Sequence, residues 1–147
     1  MPYSAAFSLY LGAPVYEELV VAANLLKGDH QRPNYLGIPS VVFTIPPLAA
    51  DGFSESGARE QNLKVRVKKE MTLTWYSSRR VAETYSGYKV LVEEDTDRIL
   101  GAHILGSDAG EVINLFALAI RSGMRATELQ HMVFAYPTSG SNITRMV

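Results

Sequence analysis

Residues 98–147, RILGAHILGSDAGEVINLFALAIRSGMRATELQHMVFAYPTSGSNITRMV, decide the fold. A mostly apolar strand over 99–105 runs into Gly106. A helix follows, with Ser107 or Asp108 as N-cap and Glu111 in the first turn, where a carboxylate suits the helix dipole. The helix ends near Ser122, with Gly123 as a C-terminal stop. Inside it, Val112, Ile113, Leu115, Phe116, Ala117, Leu118, Ala119 and Ile120 leave a narrow polar stripe of Glu111, Asn114 and Arg121. A surface helix normally shows an apolar face of about 100° or somewhat more. The spacing therefore predicts one side on its own sheet and another against a second chain. The competing reading is a helix buried wholly inside one domain.

Upstream, residues 88–93 and 99–105 read as a hairpin about Glu94-Asp95-Thr96-Asp97. Leu63, Val65 and Val67 alternate with Lys64, Arg66 and Lys68, and Met71, Leu73 and Trp75 alternate with Thr72, Thr74 and Tyr76. Both patterns have the period of half-buried strands. Residues 77–87 read as a polar connection between them and the hairpin. Residues 40–44 form a short β-branched strand stopped by Pro46-Pro47, and a short helix follows from Ser54 to about Gln61. Further helices are expected after a Thr127 cap and near Gly140. From Pro14, VYEELVVAANLLKG reads as a helix ending near Gly28, with Val15, Leu19, Ala22, Ala23 and Leu26 on one face. That face is expected to pack on its own or a partner's sheet. Residues 28–37, with Pro33 and Asn34, form a linker. Hairpin-joined strands with segregated helices predict an α+β fold, an antiparallel sheet with helices packed on one side.

The 147 residues suffice for one domain with a core, and the net charge of −1 is scattered. No electrostatic case exists for nucleic acid or an anionic membrane, and no apolar run approaches the ~18 residues of a span. The absence of cysteine excludes disulfides, thiolate metal sites and thiol chemistry carried by this chain. With no basic, cleavable leader in view, a cytoplasmic location is the default expectation. His30, His103 and His131 lack metal-ligand spacing, and His103 reads as a hydrogen-bonded framework residue. Glu93, Glu94, Asp95 and Asp97 read as a solvated hairpin tip before a cation site, and Arg79-Arg80 as surface before a phosphate contact.

Several of these stretches, in this order, carry a resemblance. Gly101-Ala-His-Ile-Leu-Gly-Ser-Asp-Ala-Gly-Glu-Val-Ile-Asn114, the helix it opens, Ala135-Tyr-Pro-Thr138 and, upstream, Pro39-Ser-Val-Val-Phe-Thr-Ile-Pro-Pro-Leu-Ala49 resemble the C-terminal dimerisation domain of the pyridine nucleotide-disulfide oxidoreductases. These are the flavoenzymes that include glutathione reductase, dihydrolipoamide dehydrogenase and mercuric reductase. The resemblance covers residues 39–147 and implies a dimerisation domain there. Residues 1–38 would be an N-terminal helical segment like the end of an FAD-binding domain, plus linker. A homodimer is implied, with Val112, Phe116, Ile120, Phe134, Tyr136, Pro137 and Thr138 as interface residues.

The resemblance also implies FAD and NAD(P) for the full-length family but none for this chain alone, which lacks both glycine fingerprints and both cysteines. In the family, a His-Pro-Thr segment followed by a Glu supplies an acid–base dyad to the other subunit. Here those positions hold Tyr136 and Ser141, and a phenol with an ordinary pKa of about 10 is a poor base at neutral pH. Tyr136 then either contacts a flavin or substrate across a dimer or, the preferred reading, packs to fix the turn before Pro137. The expected function is self-association. The alternatives are a subunit of a split flavin oxidoreductase completed by a separately encoded FAD/NAD-binding chain, and a small-molecule binding protein using the groove near Tyr136.

Overall fold

The computed structural model describes residues 12–147. A helix, α1 (Gly12–Lys27), precedes five strands: β1 (Ser40–Val42), β2 (Leu48–Gly52), β3 (Val65–Met71), β4 (Gly87–Glu93) and β5 (Ile99–Leu105). The helices α2 (Glu55–Glu60), α3 (Tyr76–Arg80), α4 (Ala109–Arg121), α5 (Ala126–Gln130) and α6 (Ile143–Met146) complete the fold, with a 3-10 turn at Gly140–Asn142 before α6. The strands form one antiparallel sheet in the order β1-β2-β5-β4-β3. This is the expected α+β architecture.

Alternation along the central strands assigns the faces. Val90 and Val92 of β4 and Ala102 and Ile104 of β5 turn toward α4, where they meet Val112, Ile113, Phe116 and Ile120; Leu129, Ile143 and Met146 close this core. Ala49 and Ala109, each 1% exposed, let α4 lie close to β2, and a Cβ at Gly110 would meet the Val41 side chain at 3.8 Å. α4, α5 and α6 thus share one face. On the other face, Lys89 of β4 reaches Glu55 of the short α2 at 3.4 Å. Among the described residues, no helix is long and apolar enough to cross a membrane.

The hairpin of β4 and β5 and the limits of α4 follow the sequence reading. α4 ends with Gly123 at φ +66°, its N–H donating to Ile120 and that of Met124 to Ala119, the paired bonds of a glycine-terminated helix. The start of α4 differs in detail: the Asp108 side chain makes no cap bond. Instead Glu83, from the connection after α3, accepts from the Ser107 N–H at 3.0 Å and from its hydroxyl at 2.7 Å.

Two expectations are overturned. β2 was not foreseen, because Leu-Ala-Ala-Asp-Gly carries no β-branched residue; it is extended because β1 and β5 pair with it on both sides. Conversely, the alternation from Met71 to Trp75 is not a strand. The chain turns at Thr72, whose N–H donates to the Ser86 carbonyl at 3.0 Å, while the Trp75 N–H returns to Thr72. Thr72, Ser78 and Ser86 are buried and bond one another through their hydroxyls at 2.9 and 3.0 Å. Buried polar groups that satisfy each other carry little penalty. A segment that looks polar and loop-like therefore folds inward, with α3 inside the stretch read as a connection.

Candidate functional site

The site positions lie on the segment between α5 and α6. Phe134 packs partly buried against the core, and the chain then lifts away: Tyr136 is 80% exposed, ahead of a cis peptide bond to Pro137. The ring does not pack to fix the turn, which corrects the preferred reading of Tyr136. The turn is fixed by hydroxyls: Thr138 donates to the Ala135 carbonyl at 2.7 Å and accepts from the Ser141 N–H at 3.1 Å. Ser139 donates to the Asp108 carboxylate at the start of α4, and Asn142 donates to Ser77 of α3 at 2.8 Å.

Ser141 holds the second dyad position. Its hydroxyl donates to the Thr138 carbonyl at 2.6 Å. It is thus spent within the turn and supports no acid–base partner. Beside Tyr136 runs a groove bounded by Tyr76 and Arg80 of α3, Leu115 of α4 and Pro137 to Ser139. Arg145 stacks on Trp75, its guanidinium carbon 4.4 Å from the ring centroid, and so ties α6 to the start of α3. Tyr76 joins the site although its place in a supposed strand hid it.

The expected interface residues divide in two. Val112, Phe116 and Ile120 are buried in the single chain, Phe116 completely. They belong to the core of the single chain, where the C-terminal segment wraps α4 as well as the sheet does, and of the three Val112 also lines the groove beside Pro137. What α4 does expose is Glu111, Asn114, Leu118 and Arg121, with Leu115 half-buried. Leu118 is 66% exposed. Pro137 and Thr138 are exposed like Tyr136, and Val133 is 97% exposed.

A flavin pyrophosphate would need free amides at a strand-to-helix turn. At the junction of β5 and α4, the strand-to-helix turn that opens the longest helix packed on the sheet, the Ser107 amide is already held by the Glu83 carboxylate. That carboxylate would repel a phosphate, so these residues do not fit the group. The histidines bond backbone carbonyls: His30 to Gly28, His103 to Phe53 at 3.2 Å and His131 to Thr127 at 2.6 Å. Burial holds His103 below the usual imidazole range. At the hairpin tip, Asp97 accepts from the Thr127 N–H at 2.9 Å, which lowers its pKa. Among the described residues, no group of three or more acidic or histidine side chains is placed to hold a metal.

Comparison with known proteins supplies the rest. The family model of the pyridine nucleotide-disulphide oxidoreductase dimerisation domain matches residues 38–147. An uncharacterised 19.7 kDa protein in a mercuric resistance operon of Staphylococcus aureus is 44% identical over 128 residues, covering 87% of this chain and 71% of that protein. Dihydrolipoyl dehydrogenase of the same organism is 32% identical over 123 residues, 84% of this chain but 26% of the enzyme. Among solved structures, the HOCl-induced flavoprotein disulfide reductase RclA of Escherichia coli superposes with a TM-score of 0.79 at 25% identity, over 88% of this chain and 30% of that one. The chain thus spans about a quarter to a third of these enzymes. The matches of 128 and 123 residues are longer than the family segment and reach into the linker and α1.

Proposed function

Because this chain belongs to the pyridine nucleotide-disulphide oxidoreductases through their dimerisation domain, we propose that its own activity is self-association, with residues 38–147 as the associating unit. The observation that carries the reading is that the single chain leaves large apolar side chains exposed within the family domain: Leu118 on α4, with Val133 and Tyr136 on the segment that follows α5. Large apolar side chains left exposed on a chain with its own core are candidates for a contact surface. A two-fold axis through this surface would use each residue twice, as in most homodimers. FAD and NAD(P) belong in this reading to the longer relatives. Tyr136 and Ser141, with the serine hydroxyl held in its own turn, supply no acid–base dyad. Sedimentation velocity tests the proposal: a dimer at tens of micromolar supports it, and a monomer that persists across that range overturns it.

A second reading has one observation in its favour. Sequence similarity to the much longer dihydrolipoyl dehydrogenase continues past the family domain into α1, so the chain retains the element that leads into the rest of that enzyme. A separately encoded FAD/NAD-binding chain would complete a redox site with this one. Flavin retained in a co-purified complex, and absent from the chain purified alone, would support that reading.

A further inference from the structure

Asp51 is a carboxylate in an apolar place. Alternation along β2 turns it to the same side as the core residue Ala49, toward α4. It is buried, and one of its carboxylate oxygens has no hydrogen-bond partner, the one buried side-chain atom so left among the described residues. Buried polar groups are nearly always paired, so this one needs a reason.

The chain between α1 and β1 closes the site. Ser40 pairs with Ala50, so the next residue back, Pro39, stands beside Asp51 at the sheet edge. Proline has no N–H to offer β2, and the ladder ends there. Gly37 sits hard on α4: a Cβ there would fall 2.7 Å from the Ala117 carbonyl oxygen. Residues 37–39 thus cross from α4 to the sheet edge beside Asp51, while β5 sets the fully buried Ala102 on its other side. The same linker holds α1 in a clasp. The Asn34 N–H donates to the Tyr16 hydroxyl at 3.0 Å, and Arg121 of α4 lies over the Tyr16 ring at 5.9 Å and donates to the Leu36 carbonyl at 2.9 Å. Val15, Leu19, Ala22 and Leu26 of α1 stay exposed and do not rest on the chain's own sheet, contrary to the expectation from sequence.

We infer that Asp51 is a proton-operated latch on this edge of the domain: while its carboxyl is uncharged the linker and β1 stay closed over it, and its ionisation opens them and loosens the seat of α1. No counter-ion shares the site. The charged residues of α4, Glu111 and Arg121, are exposed; β5 carries only His103, which pairs with Ala50 and so lies on the other face; β1 and residues 36–39 carry none. An ionised Asp51 can therefore be solvated only by water. The easiest way to water is the edge, since β1 is three residues long and paired on one side, whereas β4 and β5 are paired on both. Burial raises the pKa of Asp51, offset in part by the Gly52 N–H, with no charged group among the causes. Closure is thus strongest below the ordinary carboxylate range, weakens as pH rises toward Asp51's own raised value, and changes no further above it.

Amide hydrogen exchange, corrected for the intrinsic effect of pH, tests this on wild type and Asp51→Asn, with the Asp51 carboxyl carbon titrated by NMR in the wild type. The amides of β1 are expected to be less protected than those of β4 and β5 throughout. In wild type their protection should fall by up to about tenfold per pH unit, from about pH 4 to the Asp51 midpoint, and then level off. In Asp51→Asn it should not vary across that window. If β1 exchanges in step with β4 and β5, Asp51 reaches water only when the whole fold opens, and the inference is overturned. A pH profile that survives in Asp51→Asn, or an Asp51 midpoint in the ordinary carboxylate range, overturns it as well. Should the variant not fold, the wild type decides: the levelling of β1 protection must coincide with the Asp51 midpoint.

Discussion

Replacing Phe116 with alanine separates a core residue from an interface residue on the same helix. Phe116 is wholly buried within one chain, at the centre of the cluster formed by α4 with β4 and β5. Removing its ring forfeits the transfer energy of the buried apolar atoms and leaves a cavity. Such truncations cost ~3–5 kcal/mol. Against a total stability of roughly 5–15 kcal/mol for a domain, this is about a fifth or more of what holds the chain folded. For a chain of this size it corresponds to a Tm lower by about 10 °C. The single tryptophan, Trp75, is buried against Tyr88 at 5.7 Å between ring centroids, so its fluorescence reports the loss of the core. Urea unfolding of wild type and Phe116→Ala at one protomer concentration gives the difference, the fixed concentration being needed because dimerisation adds to apparent stability. A loss below ~1 kcal/mol, together with a weakened dimer, would refute the placement of Phe116 in the core.

Two further predictions follow from named residues. Asp51 is 5% exposed, and one carboxylate oxygen has no hydrogen-bond partner; burial raises its pKa, opposed by a weaker bond from the Gly52 N–H. A carboxyl raised above its unfolded value contributes stability that is present below the ordinary carboxylate range and lost as pH rises through the folded value. Asp51→Asn should therefore gain stability relative to wild type at neutral pH, by about 1–3 kcal/mol, and the gain should shrink on acidification; urea midpoints at several pH values check both the sign and the trend. Gly37 adopts φ +67° hard against α4, so Gly37→Ala should loosen the clasp on α1 while leaving the sheet intact. Limited proteolysis should then cut within residues 12–36 much faster than in wild type, with β4 and β5 protected from hydrogen exchange as before.

How far the sequence discloses this molecule depends on the range of the interactions involved. The hairpin of β4 and β5 and the span of α4 are local: alternation, turn formers at 94–97 and the glycine after the helix declare them. β2 is invisible in its own residues because its extended form is imposed by neighbours on both sides. The chain from Thr72 to Ser86 misleads for the opposite reason, since its polar hydroxyls are satisfied by each other inside the fold.

α4 shows the same limit at the site. Its wide apolar arc was read as sheet on one side and partner on the other, with Val112, Phe116 and Ile120 toward the partner. In the structure Phe134 and α6 wrap around the helix and the linker closes on Ala117. Only Leu115 and Leu118 are left partly or largely outside. The positions of Tyr136 and Ser141 could be named from the motif they occupy. That the serine is turned into its own loop, and that Tyr76 and Arg80 border the same groove, depends on contacts between segments far apart in sequence.

The most direct test of the interface is the molar mass in solution of wild type and Leu118→Glu, measured by light scattering at tens of micromolar with circular dichroism as the check on folding. Leu118 is largely exposed in the single chain, so the substitution should change folding stability by no more than ~0.5 kcal/mol. In a dry contact shared about a two-fold axis it would instead place two unpaired carboxylates together, at a cost of several kcal/mol. The expected result is twice the 16.2 kDa protomer mass for wild type and the protomer mass for a folded Leu118→Glu. A wild type at 16.2 kDa, or a Leu118→Glu protein that remains a dimer, would contradict the assignment of this face.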